Sequence, residues 1–306
     1  MLLFPAEPFA GRTPDGTYAR ELALAGQAGL DTTLLDTEAL LDGDLTRALR
    51  WLPRPGRPHL ALYRGWMLRP EVYTHLYAGL LERGWTLINT PKQYLHTHHL
   101  PQSFAAIADV SPCTLWLPAS VPAELNWDAV HAALGSFGAA PIIVKDYVKS
   151  RKHEWNEACY IPDASDLQQA GAVIQTFLTR QGSEFQGGLV LRAFEQFAAL
   201  TSHSRSGMPL TREYRLFFLD GQIISAAAYW EDGEYPAEQL PLEFFLDIGS
   251  RVQSRFFSMD VAQRSDGQHS DGEWRVMELG DGQVAGLPEQ ADGPGLYMAL
   301  TQTLRG

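Results

Sequence analysis

The sequence is poor in cysteine, and its basic residues are outnumbered by acidic ones. Among 306 residues the only cysteines are Cys113 and Cys159, with no CxxC pair and no histidine at ligand spacing, which argues against a disulfide framework and a zinc site. The 24 lysines and arginines stand against 36 aspartates and glutamates, for a formal net charge of -12. Long-range repulsion would oppose general binding to nucleic acid or to an anionic membrane. We therefore predict no nucleic-acid or membrane partner and a reducing, cytoplasmic setting.

Long apolar runs are absent as well. No uninterrupted apolar stretch reaches the roughly 18 residues that a membrane helix needs, and the opening MLLFPAEPF has no basic leader and is broken at Pro5. We therefore expect neither export nor membrane insertion. With 45% hydrophobic and 20% charged residues, the composition is that of an ordinary globular protein. The length favours two or three packed subdomains.

The first third of the chain alternates strand patterns with helical patterns. Apolar β-rich runs predict strands at residues 2–5, 32–35, 59–66 and 86–91. Helical spacing predicts helices at residues 17–28 and 70–84. Because strands and helices alternate with short turns, we predict a parallel sheet covered by helices, an α/β unit over residues 1–111.

The pattern changes near Pro112, and two further units are predicted, residues 112–195 and residues 196–306. The first has the strand patterns TLWLPA, PIIVK, ACYIP and GGLVLRAF, a helix near 127–134 and a capped helix in DASDLQQAGAVIQTFLTRQG. The second has two hairpins, with a helix near 242–250 between them. One hairpin turns at Asp220-Gly221, and the other joins FFSMDVAQ to EWRVMELG through a polar loop at about 264–272.

The second hairpin carries a carboxylate on each of its strands. Asp260 and Glu278 would repel each other across adjacent strands unless a cation lay between them, and hard oxygen ligands suit Mg²⁺. The alternative is that both are surface carboxylates on the solvated face of a sheet, and the sequence leaves it open.

Two strand arginines have a similar ambiguity. Arg215, in TREYRLFF, shares a strand face with Glu213. It could bind phosphate in a bidentate way or form a salt bridge with a neighbouring carboxylate. Arg192 ends an apolar strand, which favours a position in a cleft over one in a core.

Positive charge is concentrated after the strand PIIVK, where Lys145, Lys149, Ser150, Arg151 and Lys152 fall within eight residues. Ammonium groups, a hydroxyl and N–H donors on one short segment suit a polyphosphate. The alternative is a solvated basic loop balanced by nearby glutamates, and for Arg151 and Lys152 we predict this alternative. A lysine that closes an apolar strand is costly without an anion beside it, so Lys145 is predicted to be functional.

Three other features are assigned lesser roles. His96, His98 and His99 could be metal ligands, but HTHH before Leu-Pro is predicted to be a polar loop. Cys159 is predicted to be a small core residue. The stretch ELGDGQVAGL is rich in glycine, yet it has neither the Rossmann nor the P-loop spacing.

The order of these elements resembles the ATP-grasp fold. A parallel α/β domain is followed by a strand ending in lysine, a strand leading to a hinge, an E-x-R strand, and a pair of strands with Asp and then Glu. The strings YRGWML, VKDYVKSRKHEW, SGMPLTREYRLF and MELGDGQVAGLP resemble the ATP-grasp clade diagnosed by two arginines and a lysine, over nearly the whole chain. The resemblance implies a pre-ATP-grasp domain over 1–111, a lid subdomain over 112–195, and a C-terminal subdomain with a metal site over 196–306.

Carried over residue by residue, the resemblance implies ATP and Mg²⁺ as cofactors. Lys145 would contact the α- and β-phosphates, and Glu195 with the backbone of residues 194–197, including Phe197, would receive adenine and ribose. Arg192 and Arg215 would be the diagnostic, catalytic arginines, with Arg215 at the γ-phosphate. Asp260 and Glu278 would hold Mg²⁺.

The sequence departs from that family pattern in two places. Gly280 occupies the usual asparagine position, so a metal ligand would be missing or replaced by Asp281 or Gln283. The loop VKSRKHEW has no glycine, whereas many relatives bind the triphosphate with the backbone amides of a glycine-rich loop. The side chains of Lys149 and Ser150 would bind the phosphates in their place.

The resemblance implies an ATP-dependent ligase that joins a carboxylate to an amine or another nitrogen nucleophile through an acyl-phosphate. The substrates would be small molecules or peptides, contacted by Tyr63, Arg64 and Trp66; a salt bridge between domains is the alternative for Arg64. A nucleotide-binding regulatory module without turnover and a kinase of the same fold stay open, as does a homodimer.

Overall fold

The computed structural model describes residues 1–8, 10–202, 209–235, 240–265 and 273–305. Within these ranges, three four-stranded sheets and one two-stranded sheet organise the chain. Part of the predicted loop at 264–272 and the residues around Pro236 lie outside the described residues. Among the described residues, no helix combines the length and the apolar character that crossing a membrane requires.

The first sheet is parallel throughout, as predicted, with the strand order β2-β1-β3-β4. Its strands are β1 (Leu2–Pro5), β2 (Thr32–Leu35), β3 (His59–Tyr63) and β4 (Trp85–Leu87). Its helices are α1 (Ala19–Gln27), α2 (Thr37–Leu41), α3 (Leu45–Ala48), α4 (Pro70–Leu81), α5 (Pro91–His98) and α6 (Leu100–Ile107). Pro70 and Pro91 each take the first helical turn, where a missing N–H costs nothing.

The second sheet is antiparallel, with the strand order β5-β8-β6-β7. Its strands are β5 (Thr114–Pro118), β6 (Ile142–Asp146), β7 (Tyr160–Ile161) and β8 (Gly188–Ala193). Its helices are α7 (Trp127–Gly135), α8 (Trp155–Ala158) and α9 (Leu167–Gln181). Helix α9 begins at the Asp166 cap and buries Ile174 and Phe177 against Leu189 and Leu191 of β8.

The third sheet is built from the two predicted hairpins, in the order β12-β11-β13-β14. Its strands are β11 (Glu213–Leu219), β12 (Gln222–Ala228), β13 (Phe256–Gln263) and β14 (Trp274–Asp281). A separate ribbon pairs β9 (Ala199–Ser202) with β10 (Pro209–Thr211), and the helices are α10 (Leu242–Gly249) and α11 (Gly293–Arg305). The first hairpin turns at Asp220 (φ 47°) and Gly221 (φ 80°), the positive pair that a tight two-residue turn requires.

Short 3₁₀ turns join several of these elements. They are Gly16–Tyr18, Ala108–Val110, Pro122–Glu124, Lys152–Glu154 and Gly182–Glu184.

The first and third sheets share one hydrophobic core. Leu2 and Phe4 of β1 cluster with Phe217 of β11, Phe256 of β13 and Tyr297 of α11. This shared core fixes the carboxyl ends of the parallel strands beside the end of β14. The functional residues predicted in both halves of the sequence therefore meet at this junction.

Two local predictions were wrong. The histidine stretch is not a loop: His96 and His98 lie on α5, and His99 caps its C-terminus. The helix forms because Thr90 and Gln93 make a reciprocal capping box around Pro91. Strands β3 and β4 also end earlier than expected, at residues 63 and 87. Cys159 is fully buried, as predicted, but it lies just before β7.

Candidate functional site

The third sheet brings the predicted carboxylate pair together. Asp260 on β13 and Glu278 on β14 are register partners across the hairpin, as predicted. Both line a cavity of about 280 Å³, called the smaller cavity below. Asp260 is 5% exposed, whereas the Glu278 side chain keeps 38% of its surface exposed. The pair is therefore reachable from the cavity on the Glu278 side.

Each carboxylate is paired with a cation, Asp260 with one from the next strand and Glu278 with one from the second sheet. Arg215, the register partner of Asp260 on β11, forks onto it with Nε–Oδ1 and Nη2–Oδ2 distances of 2.7 Å. Lys145 on β6 donates from Nζ to Glu278 Oε1 at 2.5 Å. Burial raises the pKa of Glu278, but Lys145 first and then Lys152 outweigh it, so the pKa lies below its ordinary value. Glu278 is thus held in the ionised form.

Lys152 is placed where the sequence analysis did not expect it. It is not a solvated residue balanced by Glu154 and Glu157, because it lines the smaller cavity and a larger one beside it. Burial lowers the pKa of Lys152, but nearby anions, Glu213 first, raise it above its ordinary value. No sequence signal separates this lysine from its neighbour Arg151, which does pair with Glu154 on the surface, at 2.7 Å from Nε to Oε1.

The glycine-free loop after β6 is held by an aspartate that the sequence analysis missed. Asp146 is fully buried, and its Oδ1 accepts the backbone N–H groups of Val148 at 2.7 Å and Lys149 at 2.6 Å. Its Oδ2 accepts from Gln181 Nε2 at 2.9 Å. Lys149 and Ser150 consequently stand at the smaller cavity on a fixed backbone. An Asp two and three residues before the N–H groups that it binds is a recognisable turn signal.

The larger cavity, of about 780 Å³, lies between the second and third sheets. Its walls are mostly apolar, from Ile143, Trp155, Phe194, Leu200, Leu210 and Met277. Glu195 and Phe197 line it, as do Glu213 and Trp230. A slot of this kind suits a flat heteroaromatic ring edged by backbone polar groups. Lys152 lines both cavities.

Arg192 ends β8 at the larger cavity, where the sequence placed it. It donates from Nη1 to the carbonyl of Met277 and from Nη2 to that of Val276, at 3.4 Å in the second case. Its Nε has no hydrogen-bond partner in the described part of the chain. Burial lowers the pKa of Arg192 to about 10, against the opposing effect of Glu278 and Glu195.

Two of the three predicted substrate contacts are turned into the protein interior. Arg64 is 1% exposed and forks onto Glu21, with Nε–Oε2 at 2.9 Å and Nη2–Oε1 at 2.8 Å. Its Nη1 also donates to the carbonyls of Gly282 and Ala285. Tyr63 is fully buried. The structure therefore gives Arg64 the salt-bridge alternative, and neither side chain can reach a substrate in this conformation.

The third predicted contact, Trp66, is 47% exposed and donates from Nε1 to Asp15 Oδ2 at 2.9 Å. Its neighbour Met67 lines the smaller cavity and was missed. The segment after β3 therefore borders the cavity through a residue adjacent to the predicted one. A flexible apolar side chain in a loop gives no sequence signal of such a role.

Asp281 does not join the carboxylate pair. It is fully buried, its Oδ2 accepts from Asn89 Nδ2 at 2.6 Å, and its Oδ1 accepts from the backbone N–H of Gln283 at 3.0 Å. Burial raises its pKa to about 6. Within the described residues, no group of three or more His, Cys, Asp or Glu side chains is arranged to hold a metal ion. The prediction of Asp281 as a metal ligand beside the other two is not supported by this geometry.

Gly280 leaves room that its neighbour needs. A Cβ atom at this position would lie 2.8 Å from Ser258 Oγ on the adjacent strand. The register partner of Gly280 is Ser258. A larger residue at position 280 would therefore require the Ser258 hydroxyl to shift, which favours glycine here.

Solved structures share this fold across the whole chain. The RimK domain protein ATP-grasp from Sphaerobacter thermophilus has 13% identity and a TM-score of 0.62, with 100% of both chains covered. The ATP-grasp ligase PsnB complexed with minimal precursor, Mg and ADP has 14% identity and a TM-score of 0.58, with 100% of this chain and 98% of that chain covered. D-Alanine–D-alanine ligase from Bacillus anthracis complexed with ATP has 14% identity and a TM-score of 0.55, with 99% and 94% covered. At these identities the likeness establishes the fold.

No curated protein matches the sequence. A family model for an ATP-grasp domain matches residues 133–301, more than half of the chain, and describes family 3 of the clade named for two arginines and a lysine. The matched range contains Lys145, Arg192, Arg215, Asp260 and Glu278. The chain therefore belongs to this family of ATP-grasp domains.

Proposed function

We propose that this chain is a Mg²⁺- and ATP-dependent ligase, which activates a carboxylate as an acyl-phosphate and joins it to a nitrogen nucleophile. One observation carries the proposal. An apolar cavity large enough for an adenosine adjoins a charged cavity that contains a carboxylate pair, and Lys152 lines both. A nucleotide lying across that boundary would have its base among apolar walls and its phosphates among cations.

The residues present fit Mg²⁺ bound together with phosphates. Mg²⁺ is usually held by one or two carboxylates plus phosphate oxygens and water, and Asp260 and Glu278 are the two that would hold it here. When bound, the ion offsets the negative charge of the triphosphate during phosphoryl transfer. Because Gly280 supplies no side chain, this donor set supports one ion more readily than two.

The protein's own cations would position the phosphates. Lys145 and Arg215 are paired with Glu278 and Asp260, so they lie beside the same carboxylates that would hold the ion. Lys152 stands at the boundary between the cavities. Fixed cations aimed at a transferring phosphoryl group stabilise its developing charge without reorganising. Arg192, which lines the larger cavity, would act at the nucleotide as well.

The substrate class is proposed from the cavity and from the fold neighbours. PsnB was solved with a minimal precursor and with a precursor peptide, and MdnC was solved with the precursor peptide MdnA. A peptide or a small molecule could supply the carboxylate or the nitrogen. We also retain the division at 112 and 196 as a proposal: a pre-ATP-grasp domain, a lid subdomain and a C-terminal subdomain.

The first test is calorimetric binding of ATP with and without Mg²⁺. We expect micromolar affinity in the parent and a loss of about ten-fold or more, equivalent to about 1.4 kcal/mol, in Lys145→Ala and in Glu278→Gln. Glu82→Gln is the matched control, since Glu82 has the same charge, is exposed at the C-terminus of α4 and lines neither of the two cavities. Absence of ATP binding by the folded parent would defeat the proposal.

The second test separates the ligase from its alternatives. Candidate carboxylates and amines are screened for ADP release that requires both. A kinase would give a stable phosphorylated product without amine, and a regulatory module would bind ATP without turnover.

A further inference from the structure

His98 is a buried histidine that borders the smaller cavity. It lies in the last turn of α5, is 6% exposed and lines that cavity. Its Nε2 is buried and has no hydrogen-bond partner among the described residues. Among the described residues that line this cavity, it provides the one buried side-chain nitrogen or oxygen left in that state. A buried polar atom without a partner is costly, and such atoms at a cavity often mark a ligand contact.

The His98 ring is held in place by its neighbours. It stacks on Tyr94 with the ring centroids 4.8 Å apart and lies 5.6 Å from the ring of His99. The Tyr94 hydroxyl is itself fixed, because it donates to the carbonyl of Leu68 at 2.7 Å and accepts that residue's N–H at 3.0 Å. The imidazole is therefore oriented before any ligand arrives, as a residue that positions a substrate needs to be.

The imidazole is also uncharged. Burial first, and then the neighbouring His99, Lys149 and Lys145, lower the pKa of His98 to about 3 against the opposing effect of Glu278. A neutral imidazole has one N–H and one acceptor lone pair. It can therefore meet an N–H donor without bringing further positive charge into a cavity that already contains several cations.

The carboxylates of the cavity are already engaged by side chains of the protein. Its three carboxylates already accept hydrogen bonds from side chains, namely Asp260 from Arg215, Glu278 from Lys145 and Asp281 from Asn89. The cations suit phosphates and a carboxylate substrate, whereas a nitrogen nucleophile arrives with N–H groups that need an acceptor. We propose that His98 accepts an N–H of the nitrogen nucleophile and so turns the nucleophile's lone pair toward the activated carboxyl group. This inference rests on the proposed ligase function.

Hydroxylamine is a suitable probe, because it is a small nitrogen nucleophile that is largely uncharged at neutral pH. Protein saturated with Mg²⁺ and AMPPNP, a non-hydrolysable ATP analogue, is titrated with hydroxylamine in a calorimeter. We expect saturable binding by the parent, at least ten-fold weaker binding by His98→Leu, and partial recovery in His98→Gln, whose amide oxygen can take the place of the Nε2 lone pair. AMPPNP affinity should be the same in all three proteins.

His96→Leu is the matched control. Among the described residues His96 Nε2 also has no hydrogen-bond partner, but His96 lines a different groove with Thr90 and Lys92, so this variant should bind hydroxylamine like the parent. Once a substrate pair is known, His98→Leu should raise KM for the amine and leave KM for ATP unchanged.

The outcomes distinguish the two proposals. If the parent binds AMPPNP but no hydroxylamine, or if His98→Leu binds hydroxylamine as the parent does, the role of His98 is wrong and the ligase proposal stands. Equal losses in His98→Gln and His98→Leu, with unchanged AMPPNP binding, would also overturn the acceptor role. If the folded parent binds no AMPPNP, both proposals fall.

Discussion

Two arginine–carboxylate pairs hold the same loop, and only one of them faces a cavity. Arg64 forks onto Glu21 and donates to the carbonyls of Gly282 and Ala285. Arg215 forks onto Asp260 and donates to the carbonyl of Gly286 at 2.9 Å. The Arg64 side chain is 2% exposed, and that of Arg215 is 15% exposed at the smaller cavity. The same type of ion pair is therefore sealed from solvent at Arg64 and accessible from a cavity at Arg215.

The difference shows that the residue type at a strand end does not by itself identify a binding residue. The exposure of the side chain and its neighbours decide whether a ligand can reach it. Arg64 has its N–H groups occupied inside a packed core, where exchange for a ligand would leave the buried Glu21 without its cation, although the Tyr297 hydroxyl still donates to it at 2.5 Å. Arg215 lies among other cations beside an open volume, so a phosphate could replace the carboxylate as its partner. Variants that break one pair or the other should therefore have separable effects on stability and on binding.

The largest expected effect is on the sealed pair. Arg64→Met should lower the free energy of unfolding by about 3–5 kcal/mol, because it leaves the buried Glu21 carboxylate uncompensated. Urea denaturation measures the change. The double variant Arg64→Met with Glu21→Leu should be more stable than Arg64→Met alone, because it removes the buried charge as well. A loss below about 1 kcal/mol in Arg64→Met would contradict the conclusion that this ion pair is sealed from water.

The loop between the two pairs should respond to pH through Asp281. Burial raises its pKa from 3.8 to about 6, so the folded state binds this proton more tightly than the unfolded state. Its stabilising contribution is complete below the unfolded pKa of 3.8 and is lost as pH rises through about 6. The advantage of the parent over Asp281→Asn should therefore shrink over this range by up to about 3 kcal/mol.

The measurement is urea denaturation of both proteins at several pH values. Taking the difference between parent and variant cancels the other titrating groups. An advantage that grows as pH rises would show that Asp281 is stabilised as an anion.

The Arg215–Asp260 pair, which faces the cavity, should matter more for ATP binding than for stability, the reverse of the Arg64–Glu21 pair. Arg215→Met should weaken Mg²⁺-dependent ATP binding by about ten-fold, equivalent to about 1.4 kcal/mol, while costing less stability than Arg64→Met. The smaller stability loss is expected because Lys152 still faces Asp260 and water can enter the cavity. Calorimetry and denaturation on the same preparations check both parts, and an unchanged ATP affinity would contradict the role of Arg215.

The smallest effects test the same contrast between two adjacent cations. Lys152→Met should weaken ATP binding by about five-fold, roughly 1 kcal/mol, because this lysine lines both cavities. Arg151→Met should change ATP affinity by less than about two-fold, since Arg151 pairs with Glu154 at the surface, where ion pairs contribute little. Equal losses in the two variants would mean that net charge alone matters.

Much of the fold was predictable from local pattern. Alternating strand and helix periods led to the parallel sheet, and Asp220-Gly221 fixed the first hairpin. The same hairpin logic placed Asp260 opposite Glu278, because the loop joins two runs of matching apolar pattern. These features depend on neighbours in sequence, which a single chain displays directly.

The rest depends on packing between distant segments. Lys152 and Arg151 look alike in sequence, and only the turn at 152–154 decides which of them faces the cavities. His98 and Met67 reach the smaller cavity because the first unit packs against the third sheet. For Arg64, the deciding partner was Glu21, which no spacing rule connects to it.

The aspartate-fixed loop after β6 has a thermodynamic consequence. Because Asp146 already ties down the backbone at Val148 and Lys149, the conformational entropy of this segment is lost when the chain folds, before any ligand binds. Loops that become ordered around a ligand place that entropy loss in the binding step instead. When a ligand binds in the smaller cavity, the heat-capacity change should accordingly be no larger than expected from the surface buried between ligand and protein, with no added contribution from loop folding.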